Sequence, residues 1–148
     1  MSSKIEARLD TFRSGENPRL IARLPSGWVE FAPFQFRRGY CLLLADPIAA
    51  SLNDAPKDVQ IQFLTDMARV GDAVRAATGA IRCNYSIYGN LDPFLHAHVV
   101  PRFTEEPDAE RTLPPLSLPI EVREAPAAAF DAERDRELME AIRRELTD

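Results

Sequence analysis

The spacing of apolar residues changes several times along this chain, and each change marks an expected element. Ile5, Leu9 and Phe12 fall on one helical face, and Ser3 followed by Glu6 has the spacing of a capping box, so a short helix is expected before the Ser14-Gly15-Glu16-Asn17-Pro18 loop. Leu20 to Leu24 and Trp28 to Phe31 flank Pro25-Ser26-Gly27, which suits a tight reversal, and together they read as a β-hairpin. A third strand is expected from Gly39 to Ala45. Its consecutive Leu42, Leu43 and Leu44 fit a sheet covered on both faces. After Asp54 and Pro56, which suit a helix start, Val59, Phe63, Met67, Val70 and Val74 recur every three or four places until Gly79 and predict a long amphipathic helix. Ile81 to Tyr88 and Leu95 to Val100 supply a fourth and a fifth strand, expected to pair antiparallel across the Gly89-Asn90-Leu91-Asp92-Pro93 loop.

The last third of the chain has a different texture. Thr104 to Pro126 is rich in proline and acids, and Thr112 to Pro119 within it is unable to sustain a helix, so an extended wrap over the surface is expected. Asp131 can then cap a helix carrying Leu138, Ile142 and Leu146 on one stripe, with Glu140 and Arg144 spaced for a weak surface pair. No internal repeat is visible. The order helix, three strands, long helix, two strands, tail and helix describes an α+β domain built on an antiparallel five-stranded sheet. With 148 residues the expectation is one domain over the whole chain, its core at about 20–103 and a Pro-rich extension with a helix at 104–148.

Charge and composition narrow the function classes. A net charge of -5 provides no overall basic field, which disfavours broad nucleic-acid binding. No apolar run approaches the ~20 residues that cross a bilayer. The opening Met1-Ser2-Ser3-Lys4-Ile5-Glu6 lacks the apolar core of a secretory signal, so a cytoplasmic protein is expected. Cys41 and Cys83 lie in apolar, strand-like runs and read as buried free thiols; two cysteines exclude a four-thiolate zinc site. There is no Walker-type phosphate loop and no dinucleotide fingerprint.

The chemistry concentrates at the fifth strand. The chain has only two histidines, His96 and His98, both within Pro93-Phe94-Leu95-His96-Ala97-His98-Val99-Val100-Pro101-Arg102. Side chains alternate along a strand, so both imidazoles share a face with Phe94 and Val100, about 7 Å apart at the backbone. Such a pair can be a semi-buried core feature, a nucleophile with a proton carrier, or two ligands of a transition metal with Asp92 or a distant carboxylate as a third.

The stretch from Asn84 to Phe103 resembles the signature of the histidine triad (HIT) family, His-x-His-x-His followed by two apolar residues and often Pro-Arg, with Gly-Gln or Gly-Asn upstream. The order of strands and helix agrees from Leu20 to Phe103. Phe94 stands where that family has its first histidine, which removes one polar support. The resemblance implies a HIT-like antiparallel five-stranded sheet with one long and additional terminal helices. It makes His96 the nucleophile, gives His98 a hydrogen bond to the phosphate or departing group, and places the Asn90 amide on the reacting phosphate. Closing a turn after Gly89 explains Asn90 as well. Gln35 falls where family members hold the ribose, although a solvated loop glutamine is the plainer reading. Asn84 either faces the phosphate or makes a strand-end hydrogen bond. Leu20, Trp28 and Phe31 line a base pocket or belong to the core, and Arg37, Arg38 and Arg102 offset the acidic surface locally.

The implied activity is hydrolysis of a phosphoanhydride of the dinucleoside polyphosphate type, or of a related nucleoside phosphate, through a covalent nucleotidyl-histidine. An imidazole attacks phosphorus at neutral pH without first losing a proton, and the intermediate divides one hard displacement into two easier ones. The resemblance also implies a homodimer with a sheet continuous across the interface and a nucleotide-type small-molecule substrate; the short apolar runs add the expectation of no membrane association, and an imidazole nucleophile requires no cofactor or metal. A catalytically weak nucleotide-binding module and a His-x-His metal-binding protein stand as the alternatives.

Overall fold

Leu20–Leu24 (β1), Gly27–Phe31 (β2), Cys41–Ala45 (β3), Arg82–Ser86 (β4) and His96–Arg102 (β5) form one antiparallel sheet in the order β1-β2-β3-β5-β4. The computed structural model describes residues 2–147, with side chains from residue 4 onward. Around the sheet lie Ser2–Arg13 (α1), Lys57–Thr78 (α2), Ile120–Arg123 (α3) and Ala132–Thr147 (α4). The α+β class, the hairpin, the long helix and both terminal helices are found as expected; the capping-box side chain of Ser3 lies outside the described residues.

The hairpin turns at Gly27, where a Cβ would come within 2.0 Å of the Leu44 carbonyl oxygen on the neighbouring strand. Only glycine fits there. β3 begins two residues later than expected because Gly39 adopts φ +108° and the Tyr40 N–H closes a turn onto the Arg37 carbonyl. β5 in turn runs two residues past Val100. Pro101 is tolerated because it lies beyond the last β3 pair, Cys41 with Val99, where the strand has a partner on one side only.

Both faces of the sheet are covered, as the three leucines of β3 indicated. One face carries Val29, Phe31, Leu43, Ala97 and Val99 and is packed by Phe63, Val70 and Val74 of α2 and by Met139, Ile142 and Leu146 of α4. The other carries Leu42, Leu44, Phe94 and Val100 and receives Leu9 and Phe12 of α1. A fully buried carboxylate, Glu30, anchors α1 by accepting from Arg8 at 2.6 Å and from Arg19 at 2.9 Å.

The tail differs from the extended wrap that its prolines suggested. It forms short helical turns at Pro115–Ser117, Ile120–Arg123 and Pro126–Ala128. Proline has no N–H to lose in the first turn of a helix, so this segment starts turns repeatedly instead of preventing them. Asp131 does cap α4, accepting from the Glu133 and Arg134 backbone N–H groups at 3.1 and 2.8 Å. Among the described residues, the Glu140–Arg144 pair does not form.

Candidate active site

The site sits on the α1 side of the sheet, where the β5 pleat turns His96 and His98 toward Leu44 and Leu42 of β3. Nδ1 of His96 lies 2.8 Å from the backbone carbonyl oxygen of Phe94. A carbonyl only accepts, so this nitrogen carries the proton of the neutral ring and Nε2 keeps a free lone pair. The Phe94 ring, itself buried, stacks on the imidazole with centroids 4.6 Å apart and fixes its plane.

His98 is held differently. Its ring stands edge-on to His96 at 5.1 Å, and its Nδ1 lies 2.7 Å from the Tyr40 hydroxyl. Burial first, then the neighbouring His96 and Arg8, lowers its pKa from 6.5 to about 4, with Asp92 opposing. His98 is therefore a neutral imidazole at pH 7. Burial also pushes the Tyr40 phenol above its ordinary value, so that it stays protonated.

Two clefts meet at these rings. One, of about 270 Å³, is bounded by Phe34, Phe36 and Leu42 on an apolar side and by Arg8 and Arg123 on a charged side. The other, of about 290 Å³, lies under the loop from Tyr88 to Asp92 and includes Asn90. Both are lined by His96 and His98, so an apolar wall, cationic groups, a free imidazole nitrogen and an amide face a shared space. A larger hollow of about 790 Å³ runs along β4 and touches neither histidine.

No family model matches the sequence, and no curated protein does. Solved structures match over most of the chain. A histidine triad protein from Bradyrhizobium japonicum is 26% identical, covering 90% of this chain and 94% of its own with a TM-score of 0.64. One from Sinorhizobium meliloti is 19% identical, covering 86% and 88% with a TM-score of 0.71. A zinc-bound histidine triad family protein from Mycobacterium smegmatis is 21% identical, covering 93% and 92% with a TM-score of 0.63. The chain has the histidine triad fold.

Within that fold the expected site residues separate into two groups. His96, His98 and Asn90 come together. Gln35 is buried away from the clefts, its amide donating to the Ala32 and Tyr40 carbonyls and its oxygen accepting from the Gly39 N–H. Asn84 accepts from Arg102 at 2.7 Å and lines the hollow beside β4. Neither side chain reaches the histidines from this position. Phe31 belongs to the sealed core, and Trp28 stacks on Phe12 at 6.1 Å, so these aromatics brace the fold. Arg37, Arg38 and Arg102 are committed to Glu106 and Glu110, to Asp135, and to Glu106 respectively.

The histidine triad fold also brings in residues that short-range patterns do not reveal. Tyr40, Phe36, Arg8 and Arg123 reach the site from a loop, α1 and the tail. Only tertiary packing joins them to β5. Among the described residues no three His, Cys, Asp or Glu side chains cluster in a way that would hold a metal ion.

Proposed function

We propose that this protein is a nucleotide hydrolase that works through a nucleotidyl-histidine formed on His96, with a dinucleoside polyphosphate or a related nucleoside phosphate as substrate. The observation that carries this reading is the 2.8 Å bond from Nδ1 of His96 to the Phe94 carbonyl, which leaves Nε2 free beside both clefts. In the first step Nε2 forms a bond to the α-phosphorus, the bond to the leaving oxygen breaks, and that oxygen departs with the electron pair. In the second, water adds to phosphorus, the N–P bond breaks back onto Nε2, and the water proton passes to solvent. The Asn90 amide and His98 donate to oxygens on which negative charge grows. Phe34 and Phe36 offer the base an apolar wall. Contacts from Gln35 or Asn84 would require those side chains to leave their present partners.

Phe94 favours one second reading. An apolar ring stacked on His96 gives a rigid site with one polar group fewer, which suits a nucleotide-binding module with weak turnover. Calorimetry with adenosine and guanosine nucleotides, beside turnover of a panel of dinucleoside polyphosphates and phosphoramidates, separates the two. Hydrolysis that disappears in His96→Ala supports the enzyme; tight binding with no turnover across the panel supports the binder.

The whole chain is read as one domain of a cytoplasmic protein. A homodimer is supported by β4, an edge strand that carries the half-exposed Tyr85 and is flanked by the half-exposed Ile81 and Tyr88. Light scattering on a size-exclusion column gives the mass directly.

A further inference from the structure

The Tyr40 hydroxyl lies 2.7 Å from Nδ1 of His98 and has no other partner among the described residues. Two arrangements satisfy that distance: the O–H donates to Nδ1, or an Nδ1–H donates to the phenol oxygen. In the second, the phenol proton of a residue only 8% exposed is left without an acceptor. In the first, the phenol proton is held by Nδ1, and the single ring proton of neutral His98 moves to Nε2, on a ring that lines both clefts.

The surroundings hold Tyr40 for this task. Phe36 packs edge-on against its ring at 5.6 Å, and its backbone carbonyl accepts from the Ala32 N–H at 3.0 Å and from the Gln35 amide at 2.9 Å. The loop carrying it is therefore fixed from two sides.

We infer that Tyr40 is a positioning residue that locks His98 as the Nε2–H tautomer, so that the paired imidazoles present opposite valences to one phosphoryl group. His96 meets a pure acceptor, the Phe94 carbonyl, and turns a lone pair outward. His98 meets a donor, the Tyr40 hydroxyl, and turns an N–H outward. The first ring is a nucleophile and the second a hydrogen-bond donor, with no proton moved to make them so. The tautomer assignment needs only the side chains named; its bearing on rate rests on the hydrolase reading.

Nitrogen-15 NMR of the histidine-labelled full chain, correlating ring nitrogens with carbon-bound ring protons, reads each tautomer without substrate. Wild-type protein is expected to show protonated Nδ1 in His96 and protonated Nε2 in His98. Tyr40→Phe keeps the ring and removes the hydroxyl, so His98 should shift toward the other tautomer while His96 stays unchanged. On a hydrolysed nucleotide, kcat should fall on the order of 10- to 100-fold with KM within about twofold. A wild-type His98 protonated at Nδ1, or a Tyr40→Phe protein with both tautomers and kcat intact, overturns the inference. Correct tautomers in a chain that hydrolyses no nucleotide would remove the hydrolase reading alone.

Discussion

On the face packed by α2 and α4, Leu43, Ala97 and Val99 are completely enclosed, whereas on the other face their strand neighbours Leu42, His96 and His98 border open clefts. The strands are the same; the covering differs. Two helices of 22 and 16 residues seal the first face, while the second receives a 12-residue helix and short turns of the tail. A strand that alternates its side chains thus supplies packing to one layer and chemistry to the other. Mutations on the two faces should accordingly separate stability from activity.

The largest effect expected is on the open face. His96→Ala should abolish nucleotide turnover while leaving the thermal midpoint close to wild type, a comparison made by kinetics beside calorimetric melting. On the sealed face Leu43→Ala should cost about 2–5 kcal/mol by denaturant titration, with KM of the remaining folded fraction unaltered. If Leu43→Ala lost activity without losing stability, the division between the faces would be wrong.

Glu30 is the test of how the open face is held. Its carboxylate is buried, but Arg8 and Arg19 keep part of their surface in water and can rehydrate. Glu30→Ala should therefore cost about 1–3 kcal/mol, less than breaking a fully enclosed pair. It should also increase amide exchange in α1 more than in α2. Equal protection changes in both helices would show that Glu30 supports the sheet as a whole.

The remaining effect is a staged response to acid. His98 has a folded pKa of about 4 against an ordinary 6.5, so the folded chain binds fewer protons. Its contribution is complete above about pH 6.5 and is lost as pH falls toward 4. Burial opposes ionisation of Glu106 and Asp135, yet hydrogen bonds outweigh it, from Arg102, the Phe103 N–H and Arg37 in the first and from Arg134, the Asp131 N–H and Arg38 in the second, and both settle at about 2. Their contribution is present above ordinary carboxylate values and is lost only as pH drops from about 4 toward 2. Denaturant titrations at several pH values should show both stages in wild-type protein and only the lower one in His98→Asn.

Much of this was legible in the sequence because it rests on local periodicity. The alternation through Phe94, His96 and His98 placed the rings on one face, and the leucines of β3 announced a sheet covered twice. What could not be read locally depends on long closure. Tyr40 meets His98 across 58 positions, and Arg37 meets Glu106 across 69. Gln35 was matched to a ribose contact by the family resemblance and otherwise read as a solvated loop residue, yet its loop needs internal donors and acceptors, and the buried glutamine supplies them. The prolines of the tail were read as helix-breaking, while Pro115 and Pro126 open their turns and Pro119 caps Ile120–Arg123, which makes them helix-starting.

In the proposed reaction His96 itself takes the nucleotidyl group. Rapid quench of wild-type protein with a hydrolysed nucleoside phosphate substrate, followed by intact mass and peptide mapping under alkaline conditions, tests it most directly. A single nucleotidyl adduct on His96, absent from His96→Ala, is the expected result. Turnover in His96→Ala, or an adduct on any other residue, would rule out His96 as the nucleophile.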